Sequence, residues 1–212
     1  TLMVLLGLIS GRSTGTRLAA FSKFSLKICV TICPPAGPPV APPCDTLTLW
    51  HRHCEDTVYI AIGDVAVAES LPGSSPVVRQ SPCGAAISRT HKTEPLVHQI
   101  RNVGTDHVRF FAAEARARPP GGPRAPLALA GHAFEWEAER FRVYRLDGDV
   151  AVDGRYDFHG LIVALAPMSV EITDTTGAGT HHALAMGDWR WLTPPVTCRH
   201  APGARGLVIE WR

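Results

Sequence analysis

From Asp45 onward, turn residues divide the sequence into short apolar segments of strand length. Residues 58–62 and 65–68 are joined by Gly63 and Asp64, a pairing typical of a β-hairpin. Similar segments follow at residues 85–88, 96–101, 108–113, 141–145, 161–165, 169–173, 189–192 and 207–211. Strands this short must pair with several neighbours to bury a face, so the pattern predicts an all-β sandwich, jelly roll or barrel. Only residues 134–140 have a helical composition, and we predict a short helix there.

Two proline-rich stretches divide the chain. Residues 33–44 contain six prolines, which fix φ and remove backbone donors, and this excludes a helix or an inner strand. Residues 118–123 form a second such stretch between two strand-rich parts. We therefore predict an N-terminal arm or linker over 1–45, a first repeat over 46–118, a linker with the short helix over 119–140, and a second repeat over 141–212.

The two strand-rich parts resemble each other. Residues 59–67 align with residues 162–170, and each part then has a glycine before a strand, Gly84 and Gly187. Each part ends on a strand with the same spacing of an arginine and a glutamate, Arg109 with Glu114 and Arg205 with Glu210. Three matches in the same order indicate a duplicated unit.

Charge, hydropathy and cysteine spacing exclude several classes of function. A net charge of +2 without a Lys/Arg run argues against nucleic acid as a partner. The longest apolar run, residues 2–9, is too short to span a membrane. No CxxC pair is present, which argues against a structural zinc site. We expect a cytoplasmic protein with reduced thiols; the alternative is that residues 2–9 are the remainder of a signal segment.

Three histidines form the main candidate site. His51 and His53 are two residues apart, so on a strand both imidazoles lie on one face and can reach one ion. His98 and Asn102 share a face of a later strand by the same period. A barrel that pairs these strands presents three imidazoles to its interior.

These residues resemble the two short motifs of the cupin superfamily. In the first, a Gly-x5-His-x-His pattern is followed by a Glu and a later Gly, and His51, His53 and Gly63 match. In the second, a Gly, a Pro and a His-x3-Asn pattern occur in order. The matching residues are Gly84, Pro95, His98 and Asn102, with a longer loop and without the inner Gly. The resemblance covers roughly residues 47–212 and implies an all-β bicupin, with two double-stranded β-helix (jelly-roll) barrels in tandem.

The sequence departs from the first motif at the carboxylate ligand. Thr57 or Val58 stands where the family has Glu. The resemblance therefore implies either a three-histidine site, as in thiol dioxygenase-like cupins, or a site of weakened metal affinity. Three imidazoles favour Fe, Zn, Ni or Cu over Mn and Mg. Thr57, Asn102 and Glu94 are the candidates for residues that surround the metal ligands, whereas His91 and His107 are expected in solvated loops.

The second repeat lacks this histidine set. The alignment places Gly154 opposite His51, Tyr156 opposite His53, and Cys198 near the position of His98. One thiol cannot hold a catalytic ion, so we interpret the second repeat as a structural partner with a degenerate site. The adjacent His181 and His182 are expected to face opposite sides of a strand.

The resemblance implies a metal-binding cupin that acts on or binds a small molecule, with a dioxygenase- or isomerase-like activity at a three-histidine centre. The alternative is a non-catalytic small-molecule-binding cupin whose metal site is vestigial. No residue stands out in the sequence as a general base beside the metal ligands, and the fold alone does not settle the function. We expect a divalent metal cofactor and a small-molecule ligand, with neither nucleic acid nor membrane as a partner, and leave a homodimer open.

Overall fold

A computed structural model describes residues 47–119, 125–149 and 151–212, and within these ranges the chain is built from strands without a helix. The prediction of an all-β fold is confirmed. The sixteen strands are β1 (His51–His53), β2 (Asp56–Ala61), β3 (Val65–Ser70), β4 (Val77–Ser81), β5 (Ala86–Arg89), β6 (Leu96–Asn102), β7 (Phe110–Ala115), β8 (His132–Glu137), β9 (Phe141–Gly148), β10 (Val152–Tyr156), β11 (Gly160–Ala164), β12 (Met168–Thr173), β13 (Gly179–Leu184), β14 (Trp189–Leu192), β15 (Val196–His200) and β16 (Ala204–Trp211).

The strands form four antiparallel sheets whose pairing order is repeated. The sheet β1-β6-β3-β4 is matched by β10-β15-β12-β13, and β5-β2-β7 is matched by β14-β11-β16, which β9 and β8 extend. Backbone bonds at equivalent places support the sequence alignment. The amide of Gly84 donates to the carbonyl of Ala61, and the amide of Gly187 donates to the carbonyl of Ala164, both at 2.8 Å. We call β1–β7 the first unit and β8–β16 the second unit.

The two units pack through the sheets that contain β2 and β11. Alternate residues of these strands lie in one apolar cluster, with Val58 and Ile60 from the first unit and Leu161 and Val163 from the second, all fully buried. Because side chains alternate along a strand, the residues between them face the two barrel interiors. Both faces of β11 are therefore buried, which explains its unbroken apolar sequence.

The two barrel interiors are filled differently. The second unit's interior holds large aromatic side chains, including Tyr144, Tyr156 and Phe158. The first unit's interior cluster is small and is formed mainly by Val65, Val67, Ala61 and Val108 with partly buried neighbours. The fold thus leaves polar side chains to occupy much of the first barrel.

The predicted helix over residues 134–140 is wrong. Strand β8 occupies His132–Glu137 and pairs with β9, with a bulge between Phe134 and Trp136. The Phe-Glu-Trp-Glu alternation has the period of a strand, and Trp136 packs in the cluster between the units. Burial of this face outweighs the helical propensity of the glutamates.

Some predictions concern residues outside the described ranges or stay predictions. The arm over residues 1–45 and the proline-rich segment 120–124 lie outside the described residues, and the domain boundaries stay a prediction. The cysteines of the described part, Cys54, Cys83 and Cys198, are free thiols. Within the same part, no helix has the length and apolarity needed to cross a membrane.

The packing between the units gives a first prediction. Val163→Ala should lower the free energy of unfolding by about 2 kcal/mol, because it removes two buried methyl groups and leaves a cavity between the sheets. Val78→Ala is the matched control, since Val78 is 62% exposed on the edge strand β4, and it should change stability by less than about 0.5 kcal/mol. Urea unfolding followed by far-UV circular dichroism measures both. Equal effects of the two variants would contradict the described packing.

Candidate metal centre

Antiparallel pairing brings the three histidines together at one edge of the first barrel. Strand β1 pairs with β6 in a register that sets His51 directly opposite His98. His53 follows two residues later and lies on the same face. One ring nitrogen from each histidine lies within 4.8 Å of those of the other two. The His51 and His98 Nε2 atoms are 3.0 Å apart, whereas the sequence predicts a spacing of about 3–4 Å for tetrahedral ligands.

Hydrogen bonds fix the tautomers of two of these rings. His51 Nδ1 lies 2.9 Å from the carbonyl oxygen of Leu49, and His98 Nδ1 lies 2.8 Å from a carboxylate oxygen of Glu69. Carbonyl and carboxylate oxygens only accept, so both Nδ1 atoms carry a hydrogen and donate it. The Nε2 atoms of neutral His51 and His98 are therefore bare acceptors.

These two acceptors face each other across 3.0 Å. Two imidazole lone pairs at this distance repel each other unless a cation lies between them or beside them. Burial lowers the pKa of His98, against the raising effect of Glu69, and so favours its neutral form. A metal ion ligated by the two Nε2 atoms and a nitrogen of His53 satisfies this arrangement, since ligand histidines usually donate their other nitrogen to a carbonyl or carboxylate.

His53 is held in a different way. Its Nδ1 is 3.8 Å from a carboxylate oxygen of Glu114, which is longer than a hydrogen bond. Its ring stacks on His91, with centroids 5.2 Å apart and planes inclined by 25°, and meets the ring of Tyr59 edge-on. The Tyr59 hydroxyl lies 3.0 Å from His91 Nε2. Packing, more than hydrogen bonding, sets the orientation of this ring.

Sequence reasoning missed Glu69, Glu114, Tyr59 and His91. Strand periodicity could have placed Glu69 inside the barrel, since it shares a face of β3 with the buried Val65 and Val67. By the same rule, Glu114 lies on one face of β7, while Ala113 and Ala115 lie on the other face, in the apolar cluster between the units. His91 was expected in a solvated loop, and this is wrong: it is 3% exposed. Nothing in the local sequence of its turn signals the burial.

The three residues predicted to surround the site lie in different places. Thr57 is fully buried on the same face of β2 as Tyr59, and its hydroxyl donates to the Glu55 carbonyl at 2.7 Å. Asn102 is buried at the end of β6, where its side chain bonds the backbone of Asp106 and Gly104 and closes a turn. Glu94 is exposed in the turn before β6, and its amide bonds the Thr90 carbonyl. Their role around a metal stays a prediction.

At the equivalent place the second unit has no room for such a site. Gly154 pairs with Cys198 as His51 pairs with His98. A Cβ atom added at Gly154 would lie 2.5 Å from Leu129 and 3.2 Å from the Tyr156 ring. A histidine therefore cannot be accommodated there without rearrangement of the barrel interior.

The second interior holds a hydrogen-bonded chain instead. The Tyr156 hydroxyl lies 2.5 Å from His132 Nε2 and 3.0 Å from His200 Nε2. His132 Nδ1 is 3.2 Å from the Ala130 carbonyl, so it donates there and leaves Nε2 to accept from Tyr156. His200 Nε2 must then donate to Tyr156. Burial, and secondarily the nearby His132, lowers the pKa of His200 to about 4.

Comparisons with known proteins support the fold. No protein-family model matches the chain, and no curated protein matches it in sequence. Among solved structures, YhaK from Escherichia coli is 11% identical with a TM-score of 0.52, over 88% of this chain and 85% of that one. A variant of salicylate 1,2-dioxygenase from Pseudoaminobacter salicylatoxidans is 13% identical with a TM-score of 0.52, over 79% and 68%.

An oxalate decarboxylase is a third similar structure. It is 9% identical with a TM-score of 0.50, and the alignment covers 77% of this chain and 65% of that one, slightly under two thirds of its length. At such identities the likeness establishes the fold alone. The chain has the cupin fold, as the histidine motifs implied.

The difference between the two interiors gives a second prediction. Cys198→Ala should leave any metal bound by the chain unchanged, because the structure places Cys198 beside Gly154 and Tyr156 rather than beside the three histidines. Elemental analysis of the variant and the parent chain, purified in parallel without a histidine tag, makes the measurement. Loss of stoichiometric metal in the variant would place the site in the second unit.

The buried His200 gives a third prediction. Its folded pKa of about 4 lies below the ordinary value of 6.5, so the unfolded chain binds its proton more readily. Its stabilising contribution is therefore present above pH 6.5 and is lost as the pH falls toward 4, by about 3 kcal/mol for a shift of this size. Urea unfolding between pH 7 and pH 4 should show a flatter dependence for His200→Phe than for the exposed control His107→Ala. Equal slopes would contradict the buried neutral state.

Proposed function

We propose that the chain is a metal-dependent protein in which His51, His53 and His98 hold one divalent ion that binds a small molecule. The proposal depends on one observation above all: the Nε2 atoms of His51 and His98 face each other at 3.0 Å beside a third histidine, while both Nδ1 atoms face oxygen acceptors. A proton could separate the first pair. A metal ion would also use the third imidazole.

The donor set fits a borderline metal. Three neutral imidazoles suit Fe, Zn, Ni or Cu better than Mg or Mn, which prefer oxygen ligands. When bound, such an ion with open positions supplies a Lewis acid or an O₂-binding centre for a small-molecule substrate. A dioxygenase-like reaction on a small organic acid or thiol is the activity we propose to test first. The salicylate dioxygenase of similar fold supports this choice of reaction class.

The chain's own residues define the surroundings of the ion. Glu69 accepts from His98 and is also bonded at 2.8 Å by Arg79, whose side chain is 54% exposed. This arrangement lowers the pKa of Glu69 against the effect of burial, so the carboxylate stays charged beside the centre. Tyr59 and His91 cover the His53 side with a hydroxyl and an imidazole. These polar groups can orient a small ligand by hydrogen bonds.

Metal analysis of single variants tests the assignment. The full chain should hold about one divalent ion, whereas His53→Ala and His98→Ala should lose most of it, because two imidazoles bind these metals much more weakly than three. His107→Ala is the matched control, since His107 is exposed outside the cluster, and it should keep full occupancy. Retention of full occupancy in either ligand variant removes that residue from the site.

Removal of the metal completes the test of function. The chain stripped with a chelator should lose binding or turnover of any small molecule found by screening organic acids and thiols with O₂ consumption as the readout. Return of the ion that analysis identified should restore it. Ligand binding that persists in the stripped chain supports the alternative, a small-molecule-binding protein without a working metal.

A further inference from the structure

We propose that a buried ion pair between Arg140 of the second unit and Asp56 of the first unit holds His91 against His53, and so positions the third histidine of the metal centre. This inference rests on the proposed function for its effect on metal binding. It assigns a part in the site of the first unit to the second unit, whose described residues include no group of three possible metal ligands.

His53 is the histidine whose orientation needs outside support. His51 and His98 each donate Nδ1–H to an oxygen below 3.0 Å. The carboxylate nearest to His53 Nδ1 is Glu114, at 3.8 Å. A ligand ring that is not fixed by a hydrogen bond must be fixed by packing, and the stacked neighbour of His53 is His91.

His91 is positioned by a short turn that is closed on itself. The amides of Thr93 and Glu94 both donate to the Thr90 carbonyl, at 3.1 and 3.0 Å. The Tyr59 hydroxyl adds a bond to the His91 ring from β2. These contacts shape the turn, but the backbone of the turn also needs a bond to the barrel to keep it in place.

Asp56 supplies that bond. One of its carboxylate oxygens accepts a hydrogen bond of 3.1 Å from the amide of Lys92, the residue that directly follows His91. Asp56 is the first residue of β2 and is 5% exposed. The side chain therefore joins the turn to the strand that runs past Thr57 and Tyr59.

The other oxygen of Asp56 faces Arg140. The distance to Arg140 Nε is 3.6 Å, which is an ion-pair distance, and the two side chains are 8% and 7% exposed. Arg140 lies in the turn between β8 and β9, and its carbonyl accepts the amide of Arg212 at 2.9 Å. This bond fixes the backbone of Arg140 within the second unit. Removal of one member of a buried ion pair leaves the other charge uncompensated, which is costly.

The chain of contacts therefore runs from Arg140 through Asp56, the Lys92 amide and His91 to His53. Each link is a described contact, and the first one crosses between the units. In this proposal the second unit holds one wall of the first unit's centre in place and also buries the sheet of the first unit.

Cobalt titration of the full chain freed of metal tests the inference. Arg140→Met and His91→Leu should each lower Co(II) affinity about tenfold, the lower end of the loss caused by removing outer supports of a metal ligand. Both should also change the visible absorption of the bound Co(II), because the coordination geometry changes. Arg140→Lys keeps the positive charge beside Asp56 and should therefore retain most of the Co(II) affinity of the parent chain. Arg199→Met is the control, since it breaks an exposed ion pair with Asp153 inside the second unit, and it should have no effect.

Combination of the variants shows whether the residues act along one route. In the His91→Leu background, Arg140→Met should cause little further loss of affinity, because the group that Arg140 positions is already absent. Additive losses, or unchanged affinity and spectrum in either single variant, overturn the inference. If Arg140→Met does not fold, Arg140→Lys and Asp56→Asn replace it. Asp56→Asn keeps an acceptor for Lys92 but loses the charge, and it should weaken Co(II) binding; normal binding overturns the inference.

A readout without metal separates this inference from the proposed function. Hydrogen exchange of the Lys92 amide should be faster in Arg140→Met than in Arg199→Met, since the carboxylate that accepts this amide loses its partner. If the parent chain binds no Co(II), the proposed function fails, and this exchange still decides whether Arg140 holds the turn. Equal exchange in the two variants overturns the role of Arg140.

Discussion

The packing of two sheets against each other is the constraint on which the rest of this structure depends. Strands β2 and β7 of the first unit and β9, β11 and β16 of the second bury one apolar face in a shared cluster. Polar contacts surround it, with Arg109 bonding the Met186 carbonyl, Arg145 bonding the Gly84 carbonyl, and the Trp136 indole bonding the Ala86 carbonyl. Because side chains alternate, this shared face also determines which residues point into each barrel.

The two interiors then take opposite roles. Equivalent glutamates make the contrast clear: Glu114 lies opposite Thr57 and near His53, whereas Glu210 lies opposite Gly160 and joins Arg142 and Tyr144 in a buried network. Aromatic rings fill the second barrel and give it a packed core. The first barrel has few large apolar side chains inside, so imidazoles, a tyrosine and carboxylates occupy the space near β1 and β6. Two copies of one strand plan thus have different interiors, one filled by aromatic side chains and the other lined by polar ones.

Much of this arrangement could be predicted from the sequence, and the exceptions have physical reasons. The apolar runs of β2 and β11, the paired glycines and the spacing of His51, His53 and His98 are local patterns that strand geometry converts directly into placement. The error at residues 134–140 arose because glutamate and alanine have helical propensity, while the buried side of Trp136 decided the outcome. Strand parity places Glu69 inside the barrel with Val65 and Val67, but its bond to His98 depends on the pairing of β3 with β6, which no local motif encodes.

The sequence by itself determined the class of fold, the duplicated unit and the three histidines, because these depend on period, turns and short motifs. Only the tertiary structure decided what surrounds the histidines. Antiparallel register sets His51 opposite His98 and brings Glu69 beside it, and the closing of the barrel buries His91 against His53. The contact of Arg140 with Asp56 joins residues 84 positions apart across the two units. Such contacts depend on how sheets pack, and a pattern read along one strand carries no information about the strand or turn that will lie against it.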